Sequence, residues 1–128
     1  EFMWELVEAF GPERIVAGVD AKDGMAAVAG WEKTSSVTAL ELCMKMKEYG
    51  VRHIVYTDIS RDGTLTGPNI PYTRMLAEKT GLNVIASGGV SSMEDLETLS
   101  ENRIPGVIIG KALYEKRISL PDAVARFQ

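Results

Sequence analysis

Residues 83–95 read NVIASGGVSSMED and contain, in this order, the signals of a strand, a turn and a helix start. Asn83 to Ser87 is a brief apolar run, as is typical of a parallel strand that is covered on both faces. The paired glycines that follow allow a sharp turn. Two serines then precede two acids, which is the pattern of a helix N-cap with acids in the first turn. The stretch therefore predicts one βα unit.

The same order of signals recurs along the chain. The predicted strands are Arg14 to Asp20, Arg52 to Thr57, Asn83 to Ser87 and Gly106 to Gly110, and the predicted helices are Met3 to Phe10, Val37 to Tyr49, Pro71 to Thr80 and those opened by Ser91-Ser92 and by Ser119. Strands that alternate with helices imply right-handed βαβ crossovers and a parallel sheet. Met25 to Trp31, with alternating small and apolar residues, predicts a hairpin after the first strand.

Polar and glycine-rich residues follow each predicted strand at its carboxyl end. A TIM (βα)8 barrel carries its active site at that end of its strands, but it typically needs about 250 residues. A chain of 128 residues is about half of one. The sequence thus predicts an α/β fold, a parallel (βα)4 half-barrel, in a single domain over residues 1–128. Residues 1–13 would form a remnant helix and linker, and residues 14–128 the four βα units.

The composition is that of a globular domain, with 45% hydrophobic residues, 25% charged residues and a net charge of -4. The 14 Lys and Arg residues are scattered among 18 acids, which argues against a nucleic-acid partner. No apolar run approaches the roughly 18 residues that span a bilayer, and no signal-peptide pattern opens the chain. Cys43 lies in a helical pattern, so we expect a buried, inert thiol in a cytoplasmic protein.

Two glycine motifs end the last two predicted strands. Gly88 and Gly89 follow the third strand, and Gly110 and Lys111 follow the fourth. Glycines let backbone amides approach an anion closely, and a following helix N-terminus adds a favourable dipole. Barrels frequently bind phosphate between the loops after their last two strands. We therefore expect a phosphate site here, with plain tight turns as the alternative.

Four further residues are candidates for chemistry or for substrate binding. Asp20 ends its strand, where it would act as a general acid or base or, alternatively, cap a helix or pair with Lys22. Asp62 precedes a glycine and is either a second acid or a turn residue. Thr57 is either a substrate contact or an ordinary strand residue. Trp31 follows a glycine on an extended loop, where it would stack on a flat ring or pack in the core.

Two other readings of polar residues are less favoured. His53 begins a strand at the opposite end, so we expect a structural role. Asp58, Ser60, Asp62 and Gly63 fit positions one, three, five and six of a calcium loop, but position twelve is Asn69 rather than Glu, and no helix enters the loop. We therefore predict no metal site.

Five motifs, in this order and spacing, closely resemble one enzyme family. They are DAKDG (20–24), GW (30–31), YTDISRDGTLTGPN (56–69), IASGGVSS (85–92) and GVIIGKALYE (106–115). The family is phosphoribosylformimino aminoimidazole carboxamide ribotide (ProFAR) isomerase of histidine biosynthesis. The resemblance covers Arg14 to the C-terminus and matches strands five to eight of its TIM barrel. The related cyclase subunit of imidazole glycerol phosphate synthase is expected to lack GW, TGPN and GKALYE. A phosphoribosyl-handling barrel of the tryptophan pathway is a weaker alternative that should lack DAKDG and TGPN.

The resemblance implies an Amadori rearrangement of a ribotide that carries two phosphates, with no cofactor. An acid must protonate the ribose ring oxygen, and a base must take the proton from C2. By resemblance, Asp20 corresponds to the residue given the general-acid role and Thr57 to one that orients the substrate. Asp62 corresponds to a proton donor in dual-substrate relatives, so the choice between Asp20 and Asp62 stays open.

The resemblance also implies binding roles and a partner. Trp31 would stack over the imidazole, and main-chain amides of Gly63, Gly89, Gly110 and Lys111 would hold one phosphate. Ala29, where dual-substrate relatives tend to carry Arg, favours a histidine-pathway specialist. The family's general base and second phosphate site belong to the first half of the barrel. We therefore expect the chain to need a complementing N-terminal half. The alternative is a non-catalytic, phosphate-binding half-barrel that self-associates to cover its strand edges and apolar face.

Overall fold

The computed structural model describes residues 2–28 and 33–127. In these residues the elements are, in chain order, α1 (Phe2–Phe10), β1 (Val16–Lys22), β2 (Met25–Val28), β3 (Lys33–Thr38), α2 (Ala39–Glu48), β4 (His53–Asp58), α3 (Ile70–Thr80), β5 (Asn83–Ser87), α4 (Met93–Glu101), β6 (Gly106–Val107), α5 (Lys111–Tyr114) and α6 (Leu120–Phe127). None of these helices has the length and apolarity needed to cross a bilayer.

The strands form one sheet in the order β3-β2-β1-β4-β5-β6. The neighbours β1 and β4, β4 and β5, and β5 and β6 are parallel, whereas β2 pairs antiparallel with both β1 and β3. The predicted α/β fold with a mainly parallel sheet is therefore confirmed. The four parallel strands lie side by side in chain order, and helical residues follow each of them.

The predicted hairpin over residues 25–31 corresponds to the antiparallel pair β2 and β3, although residues 29–31 lie outside the described part of the chain. β1 continues past Asp20 because Ala21 and Lys22 pair with Ala26 and Met25 across a two-residue turn. The turn residues Asp23 and Gly24 have φ angles of 52° and 81°. Positive φ at both positions is the geometry of a type I′ hairpin, for which Asp-Gly is a preferred sequence. The Asp-Gly of DAKDG is thus a hairpin turn.

Several predicted element bounds are corrected by the structure. Val37 lies in β3 rather than in a helix, because Thr38 is the N-cap of α2 and accepts a hydrogen bond of 3.0 Å from the amide of Glu41. The last predicted strand is only Gly106–Val107, since the chain turns toward α5 soon after. The N-cap predicted before the fourth helix is confirmed at Ser92, which forms a capping box with Asp95.

The helices pack on one face of the parallel strands. Alternate residues of a strand point to opposite faces, and on one face they form the main core with residues of α2 and α3, such as Cys43 and Leu76. The strand residues of this core, all at most 6% exposed, are Ala17, Val19, Ala21, Ile54, Tyr56 and Val84. Tyr56 also stacks on Tyr72 of α3, with ring centroids 5.4 Å apart.

The other face of the parallel strands is not covered by the described helices. β1 alternates exposed and buried residues along its length, so the expectation of strands covered on both faces does not hold for it. Val16 is 49% exposed and Ile108, just after β6, is 46% exposed. Parallel sheets normally bury both faces, whereas this face leaves both of these apolar side chains partly exposed.

His53 begins β4 at the amino end of the parallel strands, opposite the predicted site, as expected. Its Nε2 lies 3.1 Å from Oε1 of Glu13, and its Nδ1 lies 3.2 Å from Nδ2 of Asn83. Hydrogen bonds with His53 and then with Arg52 lower the pKa of Glu13. These contacts join the linker after α1 to β4 and β5.

Cys43 provides a test of the core. Its side chain is 0% exposed, and burial raises the pKa of the thiol to about 11. Since the thiolate is the reactive form, Ellman's reagent at pH 8 should label native protein at least about a hundredfold more slowly than urea-unfolded protein. A native labelling rate within about tenfold of the unfolded rate would contradict this packing.

Candidate active site

Three polar residues, two of them predicted site residues, lie side by side across the carboxyl end of the parallel strands. Asp20 of β1 pairs with Thr57 of β4, and Thr57 pairs with Ser87 of β5. The alternation of side chains places this row on the uncovered face, away from the helices. Asp20 and Ser87 are partly buried, and Thr57 is 8% exposed. The structure thus brings Asp20 and Thr57 together, as the sequence predicted.

A cavity of about 60 Å³ lies beside this row, where β4, β5 and β6 end. It gathers six of the predicted residues from three separate loops. These are Asp62, Gly63, Gly88, Gly89, Gly110 and Lys111, and the remaining lining comes from Leu65, Ser87, Val90 and Ile108. Trp31, predicted to stack on a ring, and Ala29 lie outside the described residues. A larger cavity of about 320 Å³ between α4, β6 and α6 has a mostly apolar lining and includes none of the predicted residues.

Several backbone amides lie among the possible hydrogen-bond donors of this cavity. Among the described residues, the amides of Gly63, Gly89 and Gly110 donate to no main-chain carbonyl. The side-chain ammonium of Lys111 lies 3.6 Å from the carboxylate of Glu115. Its positive charge therefore already has an ion-pair partner. A small anion with several acceptor oxygens suits such a set of donors.

The start of α4 contributes less to an anion site than the sequence suggested. The carboxylate of Asp95 accepts hydrogen bonds from the amides of Ser91 and Ser92, at 2.8 and 3.2 Å. The side chain of Ser92 in turn accepts from the amide of Asp95. The positive end of the α4 dipole therefore already interacts with the carboxylate of Asp95, a residue of the same helix.

Close contact between two loops gives Gly88 and Gly89 a role that sequence reasoning missed. A Cβ atom at Gly88 would lie 2.7 Å from the carbonyl oxygen of Asp58, and one at Gly89 would lie 2.5 Å from that of Gly67. Both glycines also have positive φ angles, of 100° and 82°. The amide of Gly67 donates to the carbonyl of Gly89 at 2.7 Å. The glycine pair thus lets the loop after β5 pack directly on the loop after β4.

Asp58 is the residue of this region whose importance the sequence did not reveal. Its side chain is 7% exposed. One carboxylate oxygen accepts from the amide and hydroxyl of Ser60, at 3.1 and 2.6 Å, and the other accepts from Nδ2 of Asn69 at 3.0 Å. An Asp that bonds to the residue two positions later is a known turn signal. The contact with Asn69 has no sequence signal, because it spans the whole loop.

Comparison with known proteins identifies the family. A profile of the family described as "Histidine biosynthesis protein" matches residues 1–119. The chain belongs to this family. Similar proteins from Lachnoclostridium phytofermentans, Syntrophomonas wolfei and Clostridioides difficile are 56%, 50% and 52% identical over 128, 127 and 119 residues. All three are named as isomerases of a phosphoribosylated imidazole-4-carboxamide, that is, ProFAR isomerases. The resemblance stated from the motifs is confirmed.

The alignments also define how much of those proteins this chain represents. They cover 100%, 97% and 93% of this chain but only 54%, 52% and 49% of the three relatives. The chain therefore spans about half the length of the curated relatives that it matches.

The contact between the two loops can be tested with alanine. Gly89→Ala combines a positive φ angle with a steric clash, so it should lower the free energy of unfolding by at least about 2 kcal/mol. Gly63 is the matched control, because its φ angle is also positive, at 75°, but no atom lies within 4 Å of a Cβ placed there. Gly63→Ala should cost about 1 kcal/mol, from backbone strain alone. Urea denaturation at equal protein concentration measures both, and equal losses would contradict the packing described for Gly89.

Proposed function

We propose that this chain is the C-terminal half of a ProFAR isomerase and supplies a proton donor and one phosphate site. The reaction is the Amadori conversion of an aminoaldose into an aminoketose on a ribotide with two phosphates. The observation that carries the proposal is the convergence of three loops on one cavity beside the Asp20–Thr57 row. Two carboxylates, of Asp20 and Asp62, and three amides that donate to no main-chain carbonyl of the described residues therefore lie at the same end of the sheet.

We also propose the finer description of the fold. Residues 14–128 form a (βα)4 half-barrel that corresponds to strands five to eight of a TIM barrel, and residues 1–13 carry α1 and a linker within the same domain. Four adjacent parallel strands with helices on one face support this description. So does the length of the relatives, of which the chain covers about half.

The proposed chemistry needs only proton transfer, so it requires no metal or redox cofactor from the chain. Opening the ribose ring requires an acid at the ring oxygen. Asp20 is one candidate, since it lies in register with Thr57, which would orient the sugar. Asp62 is the other, since it lines the cavity next to Gly63. The base that removes the C2 proton would come from the N-terminal half.

One phosphate of the substrate would bind in the cavity. Main-chain amides of Gly63, Gly89, Gly110 and Lys111 are the proposed donors, with Gly88 giving the turn that brings them close. Such donors fit an anion without a cluster of cationic side chains, in accord with the chain's net charge of -4. Trp31 is proposed to stack on the imidazole ring of the substrate.

The proposed partner is a complementing N-terminal half-barrel. It would cover the exposed face that includes Val16 and Ile108 and pair with the outer edges of the parallel strands. As part of the same proposal, we place the assembled protein in the cytoplasm and predict neither a nucleic-acid nor a membrane partner.

Reconstitution tests the proposed activity. Mixing this chain with the N-terminal half of the relative from Lachnoclostridium phytofermentans, which is 56% identical over 128 residues, should restore isomerisation. Substituting the true proton donor, in Asp20→Asn or Asp62→Asn, should lower kcat by at least about a hundredfold. Asp122→Asn on α6, remote from the cavity, is the control and should leave the rate unchanged. An active mixture whose rate neither site variant lowers would show that both acid assignments are wrong.

A non-catalytic, self-associating half-barrel is the second candidate, favoured by the exposed apolar residues on the open face. It predicts a dimer or higher oligomer of this chain alone. Analytical ultracentrifugation at micromolar concentration measures this directly. A stable, compact monomer would contradict self-association.

A further inference from the structure

We propose that Asp58 is a positioning residue of the site, which holds Asp62 and Gly63 beside the Gly88–Gly89 turn. The residue acts through the β4–α3 loop, defined as residues 59–69. This inference rests on the proposed function and deepens it, because it names the group that keeps two parts of the phosphate site in register. Asp58 itself does not line the cavity.

The carboxylate of Asp58 closes the β4–α3 loop at both ends. It binds Ser60 at the beginning of the loop and Asn69 at its end, with an oxygen-to-nitrogen distance of 3.0 Å for the latter. Asn69 is also the N-cap of α3, since its side-chain oxygen accepts from the amide of Tyr72 at 3.2 Å. A buried carboxylate is costly unless it is hydrogen-bonded, and these bonds satisfy both oxygens.

Arg61 adds a second link between the beginning and the end of the loop. Its Nε lies 3.7 Å from Oδ2 of Asp58. Its Nη1 donates to the carbonyls of Gly67 and Pro68, at 3.1 and 3.0 Å. With Gly67 bonded in turn to Gly89, an unbroken series of contacts joins the Asp58 carboxylate to the turn after β5.

The main chain of Asp58 fixes the cavity residues from the other side. Its carbonyl oxygen accepts from the amides of Arg61 and Asp62, at 3.1 Å each. The same carbonyl is the atom against which Gly88 packs. One residue therefore sets the position of Asp62, and with it Gly63, relative to the paired glycines.

The test exchanges the two residues that form the Asp58–Asn69 hydrogen bond. In Asp58→Asn, the new side-chain amide has only one acceptor oxygen. It can accept from Ser60 or from Asn69, but not from both. The double variant Asp58→Asn with Asn69→Asp restores one acceptor for each donor, and aspartate is an equally good N-cap. Thr80→Ala is the control for general loss of stability, because Thr80 is buried in α3 and bonds to Leu76 and Leu82.

Two measurements on the full chain give the readout. The dissociation constant for inorganic phosphate, measured by calorimetry, should rise at least about tenfold in Asp58→Asn. Amide hydrogen exchange at Asp62 and Gly67 should accelerate at least about tenfold. The double variant should return both values to within about threefold of wild type. Thr80→Ala should leave both unchanged at a temperature well below its unfolding transition.

The outcomes distinguish a failure of the positioning role from a failure of the proposed phosphate site. Wild-type binding and exchange in Asp58→Asn, or an equal effect of Thr80→Ala, would overturn the positioning role. If wild type binds no phosphate while exchange responds as expected, the proposed phosphate site is wrong and the positioning role holds. If Asp58→Asn fails to fold, the double variant decides. Wild-type exchange in the folded double variant supports the role, and failure of that variant to fold overturns it.

Discussion

The hydrogen bond between the buried carboxylate of Asp58 and the amide of Asn69, 3.0 Å long, organises the end of the sheet where the candidate residues meet. It joins the last residue of β4 to the N-cap of α3 across an irregular loop. Without a partner the carboxylate would be a buried, unsatisfied charge. With its partners, the carboxylate holds the loop after β4 in place beside the cavity. Only glycine fits against this loop at positions 88 and 89.

The uncovered face of the parallel strands connects the fold to the chemistry. The side that faces the helices presents core residues such as Val19 and Tyr56, whereas the other side presents Val16 and, at the carboxyl end, the row of Asp20, Thr57 and Ser87. An apolar surface that ends in polar side chains suits the interior of the proposed barrel. The matched share of the relatives, about half of each, is in accord with this view.

Sequence reasoning recovered the features that depend on local pattern. Apolar runs predicted the parallel strands, and the order of the two glycine motifs predicted that Gly89 and Gly110 would meet, whereas Gly63 was expected there only from the family resemblance. It missed what depends on contacts between distant residues, such as the Asp58–Asn69 bond and the approach of Gly67 to Gly89. It also misjudged β1, because an apolar run does not reveal which of its faces a partner covers. The continuation of that strand to Lys22 did have a local signal, the Asp-Gly turn.

The most direct test of the account is a titration of ¹⁵N-labelled protein with inorganic phosphate, followed by amide resonances. If the loops after β4, β5 and β6 form one anion site, the resonances of Gly63, Gly89 and Gly110 shift together and saturate with a single dissociation constant. The amides of Ser91 and Ser92, which already bind Asp95, stay hydrogen-bonded to that carboxylate. Shifts that do not saturate, or that saturate separately for the three glycines, would contradict a shared site.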